Sequence, residues 1–248
     1  MTTAAEQDAP EGIAERLAAL RSRIARAERA AARPTGSVTL VAVGKTFGAD
    51  ALRCAADAGI HVFGENYLQE ALTKQAALAD LDIAWHFIGA LQSNKTRAVA
   101  EHFDWVHTVD RAKIARRLAE ARPPERPPLA VCLQVNVDEE PTKAGVAPTD
   151  VTALAREIAG LPGLTLRGLM AIPAPREDAA GQRDAFDRVA ALAAETAAAL
   201  PEEFGAAFDV LSMGMSGDLE AAIAAGATHI RIGSALFGPR PRPRGTPP

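Results

Sequence analysis

The 248-residue chain has few aromatic residues, only two cysteines and no excess of positive charge. Aromatic residues make up 4% of it and its formal net charge is −4. A nucleic-acid-binding surface needs a basic face or stacking rings, so the composition argues against that class. Cys54 and Cys132 lie far apart and lack CxxC spacing. We therefore expect no disulfide framework. Both cysteines are expected to be buried and to act as small hydrophobic residues.

The sequence also lacks signals for export, membrane insertion and metal binding. Residues 1–10 contain no apolar core flanked by positive residues, and no 18 apolar residues follow one another without interruption. We therefore expect a cytoplasmic protein that does not enter membranes. His102 and His107 flank Trp105 without a carboxylate or cysteine at metal-ligand spacing, so no metal site is predicted.

Short apolar segments alternate with alanine-rich helical segments along the whole chain. Strands are predicted at residues 38–43, 61–63, 83–87, 105–108, 130–137, 165–170, 209–213 and 229–232. The helices predicted between them include residues 49–58, 66–78, 150–158 and 178–200. Apolar strands that alternate with helices indicate a parallel sheet buried on both faces. Eight units favour a single (β/α)8 TIM barrel of the α/β class, with an open doubly wound sheet as the alternative.

An amphipathic helix is predicted over residues 11–32, because Ile13, Leu17, Leu20 and Ile24 fall on one stripe. We expect residues 1–36 to form an N-terminal helical extension packed on the barrel. Residues 37–238 are then the ligand-binding barrel. Residues 239–248, rich in proline and arginine, are predicted to be a disordered tail.

The seventh and eighth predicted strands each end in a small, hydroxyl-rich turn. We expect Ser216 to cap a helix that starts at Gly217, with Asp218 in its first turn. After the eighth strand, Gly233 lets the backbone approach a ligand closely and Ser234 adds a hydroxyl. Phosphate groups bind such turns, and in TIM barrels the phosphate site lies after strands seven and eight. Two ordinary helix caps are the alternative.

Lys45 stands where the first predicted strand ends, and it is one of five lysines against 22 arginines. Burial in a partly apolar cavity lowers the pKa of a lysine and favours the neutral amine that forms a Schiff base. A strand-end lysine together with a phosphate site suggests pyridoxal 5'-phosphate; a solvated surface lysine is the alternative. Gly44-Lys45-Thr46 is similar to the end of a Walker A loop, but that motif needs glycine where Thr39 stands, which excludes a nucleotide P-loop.

Seven motifs, in order and spacing over residues 38–238, resemble the pyridoxal phosphate homeostasis protein family. They are VAVGK at residues 41–45, FGENY at 63–67, WHFIG at 85–89, LQSNK at 91–95, RGLM at 167–170, SMGMS at 212–216 and RIG at 231–233. The resemblance implies a single barrel like the N-terminal domain of alanine racemase, with pyridoxal phosphate on Lys45. It further implies that the residues around the cofactor are Asn66, Met215, Ser216, Arg231, Gly233 and Ser234.

Within that set, the resemblance places Asn66 beside the cofactor and Arg231 opposite its pyridine nitrogen, with the other four around the phosphate. This chain departs from the family at two positions. It has Gly44 where serine is common, which we expect to loosen the surroundings of the lysine. It has Ser234 where threonine is usual, which keeps the hydroxyl. His86 is interpreted as a packed core residue and left out of the site.

The resemblance and the residues together predict a carrier of pyridoxal phosphate rather than a catalyst. Racemases of this fold supply a second acid/base group as a tyrosine from an additional domain, whereas the one tyrosine here, Tyr67, follows strand two and no domain is expected after Gly238. A cationic Arg231 should also keep the pyridine nitrogen unprotonated. We expect a monomer that buffers the cofactor and delivers it to apo-enzymes. A weak racemase or lyase is the alternative, and a cofactor-free phosphosugar isomerase with Glu65 as base is a third class.

Overall fold

A computed structural model describes residues 12–140, 142–176 and 178–239. Within these residues eight parallel strands follow one another around a closed barrel, with β8 paired to β1. They are β1 (Thr39–Val43), β2 (Val62–Glu65), β3 (Ala84–Phe87), β4 (Trp105–Val109), β5 (Leu129–Val135), β6 (Leu164–Ala171), β7 (Val210–Ser212) and β8 (His229–Ile232). The predicted TIM barrel is confirmed, and the open doubly wound alternative is wrong.

Helices surround the barrel. They are α1 (Ile13–Ala30), α2 (Ala49–Asp57), α3 (Leu68–Ala77), α4 (Thr96–His102), α5 (Ala112–Ala121), α6 (Val151–Ala159), α7 (Ala179–Ala199), α8 (Glu202–Gly205), α9 (Leu219–Ala224) and α10 (Ser234–Phe237). Short 3-10 turns cover Ser93–Lys95 and Pro148–Asp150. In the described ranges no helix combines the length and the apolar character that a membrane span requires.

The apolar stripe of α1 is buried as the sequence predicts, and the helix packs against α9 and α10. Its last turn is tied to the start of β1 by Glu28, whose side chain is almost fully buried. The Glu28 carboxylate accepts hydrogen bonds from the amides of Gly36 and Val38 and from the hydroxyl of Ser37. The division of the chain into an extension and a barrel stays a prediction. Residues 1–11 and 240–248, with most of the predicted tail, lie outside the described residues.

Two apolar clusters support the barrel. The large one joins buried side chains of strands and helices, as expected for the layer between the wall of the barrel and its outer ring. The small one contains Cys132, Met170 and Val210, with Trp105 packed against it. Cys132 is therefore the buried small residue that we predicted. Cys54 is only half-buried, so the prediction is wrong for that cysteine.

A register shift between β5 and β6 depends on one glycine. Val131 pairs with Leu166, whereas the next residue, Cys132, pairs with Gly168. Gly168 has φ +150°, and a Cβ on it would lie 1.9 Å from the carbonyl oxygen of Val210. Because any other side chain would collide with β7, only glycine fits here. Beyond this close approach β6 continues to Ala171, whose carbonyl oxygen contributes to the site described next.

Candidate functional site

A cavity of about 300 Å³ is lined by all seven residues that the sequence predicts around the cofactor. They are Lys45, Asn66, Met215, Ser216, Arg231, Gly233 and Ser234. The lining also includes Val43, Ile88, Ile172 and Gly217, which the sequence analysis missed because apolar residues and glycine carry no chemical signal of their own. The cavity lies at the C-terminal ends of β1, β2, β7 and β8, where TIM barrels place their active sites.

Lys45 and Asn66 enter the cavity from the turns after β1 and β2. Strand β2 runs on to Glu65 rather than ending at residue 63, and α3 begins at Leu68 rather than at residue 66. Asn66 therefore lies in the turn between strand and helix, not in the helix that we predicted. Its buried side-chain oxygen has no hydrogen-bond partner among the described residues, which leaves the amide available to a ligand.

Arg231 forms the cationic floor of the cavity and is held from β6 and β7. Its Nη2 donates to the carbonyl oxygen of Ala171 over 3.0 Å, and its Nη1 donates to Ser212 Oγ over 2.8 Å. Burial lowers the pKa of Arg231 to about 10, so the guanidinium stays charged at neutral pH. Only some of its five N–H donors are used by these bonds, so others remain for a ligand.

A column of polar side chains continues below Arg231 into the barrel. Ser212 Oγ lies 2.7 Å from His107 Nδ1, and His107 Nε2 lies 2.9 Å from His86 Nδ1. Burial, then the neighbouring positive groups, lowers the pKa of both histidines well below the ordinary value, so both rings are neutral at pH 7. Because the Arg231 guanidinium can only donate, Ser212 accepts from it and donates its own proton to His107 Nδ1. His107 Nε2 then donates to His86 Nδ1.

His86 is therefore the buried core residue that the sequence predicts, stacked on Trp105 with a ring separation of 5.1 Å. Its hydrogen bond to His107 was not predicted. No spacing rule links two histidines of neighbouring strands to a serine 105 residues further along the chain.

The turn after β7 differs from the predicted helix cap. Helix α9 begins at Leu219, not at Gly217, and the Ser216 side chain makes no capping bond. The Asp218 carboxylate instead accepts a hydrogen bond from the amide of Met215 over 2.6 Å and closes the turn from below. The prediction that Ser216 caps the helix is therefore wrong. Since the Ser216 hydroxyl is not used as a cap, it remains available at the wall of the cavity.

The turn after β8 is built on Gly233, whose carbonyl oxygen accepts from the amides of Leu236 and Phe237. Ser234 is the first residue of α10 and is exposed on the rim. Helices α9 and α10 have only six and four residues. Their macrodipoles are therefore small, and an anion here depends on the local amides and hydroxyls.

Helix α1 braces the first of these turns from outside. Arg23 Nη1 donates to the carbonyl oxygen of Ser216 over 2.8 Å, and Arg23 also forms an ion pair with Glu220 of α9. Hydrogen bonding to Glu220 raises the pKa of Arg23 above the ordinary value. The Ser216 carbonyl is thus occupied by a protein donor.

The charges of the cavity suit an anionic ligand. Lys45 and Arg231 are its charged lining residues, and no carboxylate is among the described residues that line it. Glu65 is fully buried behind the wall and bound to Lys74, so the isomerase alternative lacks a base at the cavity. Tyr67 is 58% exposed and does not line the cavity either. Among the described residues, no group of three or more His, Cys, Asp and Glu side chains could hold a metal.

The cavity also suits the size and chemistry of pyridoxal phosphate. Its volume is at the small end of the range of about 300–1,000 Å³ for ligand pockets. A primary amine for an aldehyde, two hydroxyls for a phosphate, an unpartnered amide and apolar walls occur together in it. The residues present therefore fit this group.

Comparisons of the sequence with known proteins agree with this chemistry. A family profile described as "Alanine racemase, N-terminal domain" matches residues 16–241. The pyridoxal phosphate homeostasis protein of Pseudomonas aeruginosa is 57% identical over 228 residues, which cover 92% of this chain and 96% of that protein. The protein of the same name from Escherichia coli K12 is 47% identical over 231 residues, which cover 92% and 97%.

Comparison with solved structures leads to the same group. The structure of PipY from Synechococcus elongatus with PLP bound matches with a TM-score of 0.80 at 42% identity, and covers 91% of this chain and 100% of that one. Alanine racemase from Corynebacterium glutamicum matches with a TM-score of 0.65 at 16% identity, and covers 95% of this chain and 63% of that one. The racemase shares the fold, and the likeness at this identity shows nothing more.

Proposed function

Because this chain belongs to the pyridoxal phosphate homeostasis protein family, we propose that it binds pyridoxal 5'-phosphate as a Schiff base on Lys45 and takes part in intracellular homeostasis of the cofactor. One observation carries the proposal: a single cavity collects the strand-end lysine, the two serine-containing turns and the buried arginine. The PLP-bound relative supports the identity of the ligand.

In this proposal each lining residue has a role that follows from its chemistry. The amine of Lys45 would hold the cofactor through its aldehyde, with one water molecule lost as the C=N bond forms. The hydroxyls of Ser216 and Ser234, with Met215 and Gly233 in the same turns, bind the phosphate. Release to an apo-enzyme would require water to add back across that bond.

Arg231 and Asn66 hold the aromatic ring. The remaining N–H groups of Arg231 would donate to the pyridine nitrogen, and the Asn66 amide would hold the ring from the side of β2. A guanidinium in this position disfavours a second positive charge on the nitrogen. The cofactor supplies an electron sink to amino-acid chemistry when that nitrogen is protonated, so Arg231 weakens the sink.

The lining supports a carrier better than a racemase or lyase. Racemisation needs an acid/base group on each face of the cofactor, and Lys45 is the suitable group in the described lining. Tyr67 points elsewhere with more than half of its surface exposed. We accordingly propose a cytoplasmic carrier, monomeric and without robust catalysis, in which residues 37–238 bind the cofactor.

Borohydride reduction of the protein loaded with pyridoxal phosphate tests the proposal. We expect a yellow protein that borohydride bleaches, and a pyridoxyl mass on the peptide that contains Lys45. Lys45→Ala should remain folded and colourless, whereas Lys113→Ala, an exposed control on α5, should load normally. A pyridoxyl group on Lys95 or Lys143 in place of Lys45 would overturn the assignment. Turnover of added amino acids by the purified protein would favour the enzyme alternative.

A further inference from the structure

Lys74 on α3 is a buried lysine outside the cavity, and its three donors meet three acceptors. Its side chain is 5% exposed. Its Nζ donates to the carbonyl oxygen of Gly44 over 2.8 Å, to Glu65 Oε1 over 2.7 Å and to Glu70 Oε1 over 2.6 Å. An ammonium has three donors, so the set is complete.

Lys74 is connected to the peptide groups on both sides of Lys45, directly on one side and through Glu70 on the other. The Gly44 carbonyl, which accepts from Lys74, belongs to the residue before it. The amide of Thr46, the residue after it, donates to Glu70 Oε1 over 2.6 Å, the same oxygen that Lys74 binds. Thr46 has φ +71°, a left-handed conformation that a β-branched residue rarely adopts. The turn that presents Lys45 is therefore held against its own local preference.

We infer that Glu65, Glu70 and Lys74 form a clamp that positions Lys45 for attachment of the cofactor, with Lys74 as its central positioning residue. The inference rests on the proposed function for the role of Lys45. A buried ion pair contributes little net stability, because desolvation offsets the attraction. What the clamp provides is geometry: one ammonium and one carboxylate fix the backbone before and after the reactive lysine.

Gly44 is part of the same arrangement. A Cβ at this position would lie 2.6 Å from Glu65 Oε1 and 3.1 Å from Leu52 Cδ1. The clamp carboxylate therefore occupies the space that a side chain at position 44 would need. The backbone of Gly44 is also well bonded, since its amide donates to the Gly64 carbonyl and its own carbonyl accepts from Lys74 and the Phe47 amide. Glycine here makes room for Glu65 instead of loosening the turn.

Hydrogen exchange of the ligand-free protein tests the clamp without any cofactor. Glu70 is partly exposed, so Glu70→Ala should fold. We expect the Thr46 amide to exchange at least about tenfold faster in Glu70→Ala, because its acceptor is gone. Glu70→Gln is the matched control, since it keeps an oxygen acceptor and should retain most of the protection. Unchanged exchange in Glu70→Ala would overturn the clamp.

Titration with pyridoxal phosphate then tests the effect on Lys45. Lys74→Met keeps the length of the side chain and removes the ammonium, and Lys113→Met is the matched loss of an exposed lysine. We expect affinity to fall about tenfold or more in Lys74→Met and in Glu70→Ala, because a misplaced amine forms the C=N bond less well. It should not change in Lys113→Met, and Glu70→Gln, which keeps an oxygen acceptor, should lose less affinity than Glu70→Ala.

A double variant separates positioning from the cost of a buried carboxyl group that has lost its partner. Lys74→Met leaves the buried Glu65 carboxyl group without its donor, and adding Glu65→Gln replaces that carboxyl group with a neutral amide. The double variant should regain melting temperature but not affinity. If it regains both, or if Lys74→Met and Glu70→Ala bind as tightly as the unaltered protein, the clamp does not position Lys45. A failure of the proposed function is distinct from this, because the unaltered protein would then form no adduct on Lys45.

Discussion

Arg231 Nη1 donates to Ser212 Oγ over 2.8 Å, and this bond joins the cation on the cavity floor to the neutral histidines inside the barrel. Ser212 is fully buried and accepts from Arg231 while it donates to His107. One hydroxyl thus satisfies a charged donor and fixes the tautomer of an imidazole.

Ser212→Ala should lower the free energy of unfolding by about 1–3 kcal/mol, because the buried partners of the hydroxyl then lose their hydrogen bonds. Urea denaturation followed by circular dichroism measures this. Ser216→Ala removes a half-buried hydroxyl that bonds no described residue, and it should change the free energy of unfolding little. Equal effects of the two changes would contradict the role assigned to Ser212.

Ser216→Ala and Ser234→Ala should weaken binding of pyridoxal phosphate by about one to two decades each. Each change removes one hydroxyl donor to a charged acceptor, which costs about 1.5–3 kcal/mol. Affinity for unphosphorylated pyridoxal should barely change, and fluorescence titration with the two ligands compares them. An equal loss for both ligands would show that the serines do not face the phosphate.

Arg231→Glu should increase exchange of the α-proton of added amino acids in deuterated buffer, because a carboxylate favours protonation of the pyridine nitrogen. Arg231→Lys keeps the positive charge and should leave exchange near its original rate. Loading must first be checked by absorbance, since a buried glutamate can destabilise the pocket. Loaded Arg231→Glu protein with an unchanged spectrum and no added exchange would contradict the proposed contact.

Stability should fall as the pH drops from about 6.5 to 4.5. Burial lowers the pKa of His229 to about 4 and those of His86 and His107 well below the ordinary value. Unfolded histidines bind protons below about pH 6.5, so the folded state loses stability there. Glu65 acts in the opposite sense, because burial raises its pKa to about 7 against the attraction of Lys74, and its folded form binds a proton first.

On unfolding in this pH range the three histidines bind three protons and Glu65 releases one. The net uptake of two protons changes the free energy of unfolding by about 2.7 kcal/mol per pH unit. Urea denaturation at several pH values gives this slope. His229→Gln can keep a hydrogen bond to Thr228 and should reduce the slope by about one proton. A flat profile in the unaltered protein would show that the histidines titrate normally in the folded state.

The sequence was sufficient to predict the barrel because its strands are short apolar runs that alternate with alanine-rich helical segments. Strand β8 has the predicted bounds, residues 229–232, since Thr228 precedes it and Gly233 follows it. Strand β2 was predicted to end at residue 63, because Gly64 and Glu65 do not resemble strand residues. Glu65 is buried in the strand only because Lys74, nine residues later, supplies a cation. A local pattern cannot contain that information.

The site was also predictable only where a local pattern in the sequence marks its residues. Lys45, Ser216 and Ser234 stand out because each polar group follows an apolar strand. The role of Asp218 was misjudged, since a carboxylate two residues after a serine can cap a helix or close a turn, and only the backbone decides which. The bonds of Ser212, His107 and Lys74 join separate elements of the barrel and have no signature in the sequence.

Closure of the barrel restricts how the protein, in its proposed role as a carrier, can meet an apo-enzyme. All eight described strands have a partner on both sides, so none offers unpaired backbone groups to a strand of another protein. Recognition by β-strand addition, which works through such an edge, is therefore closed to this fold. In the proposed role an encounter has to use side chains of helices and loops, and Ile172 and Met215, both exposed, already lie at the cavity that we propose for the cofactor.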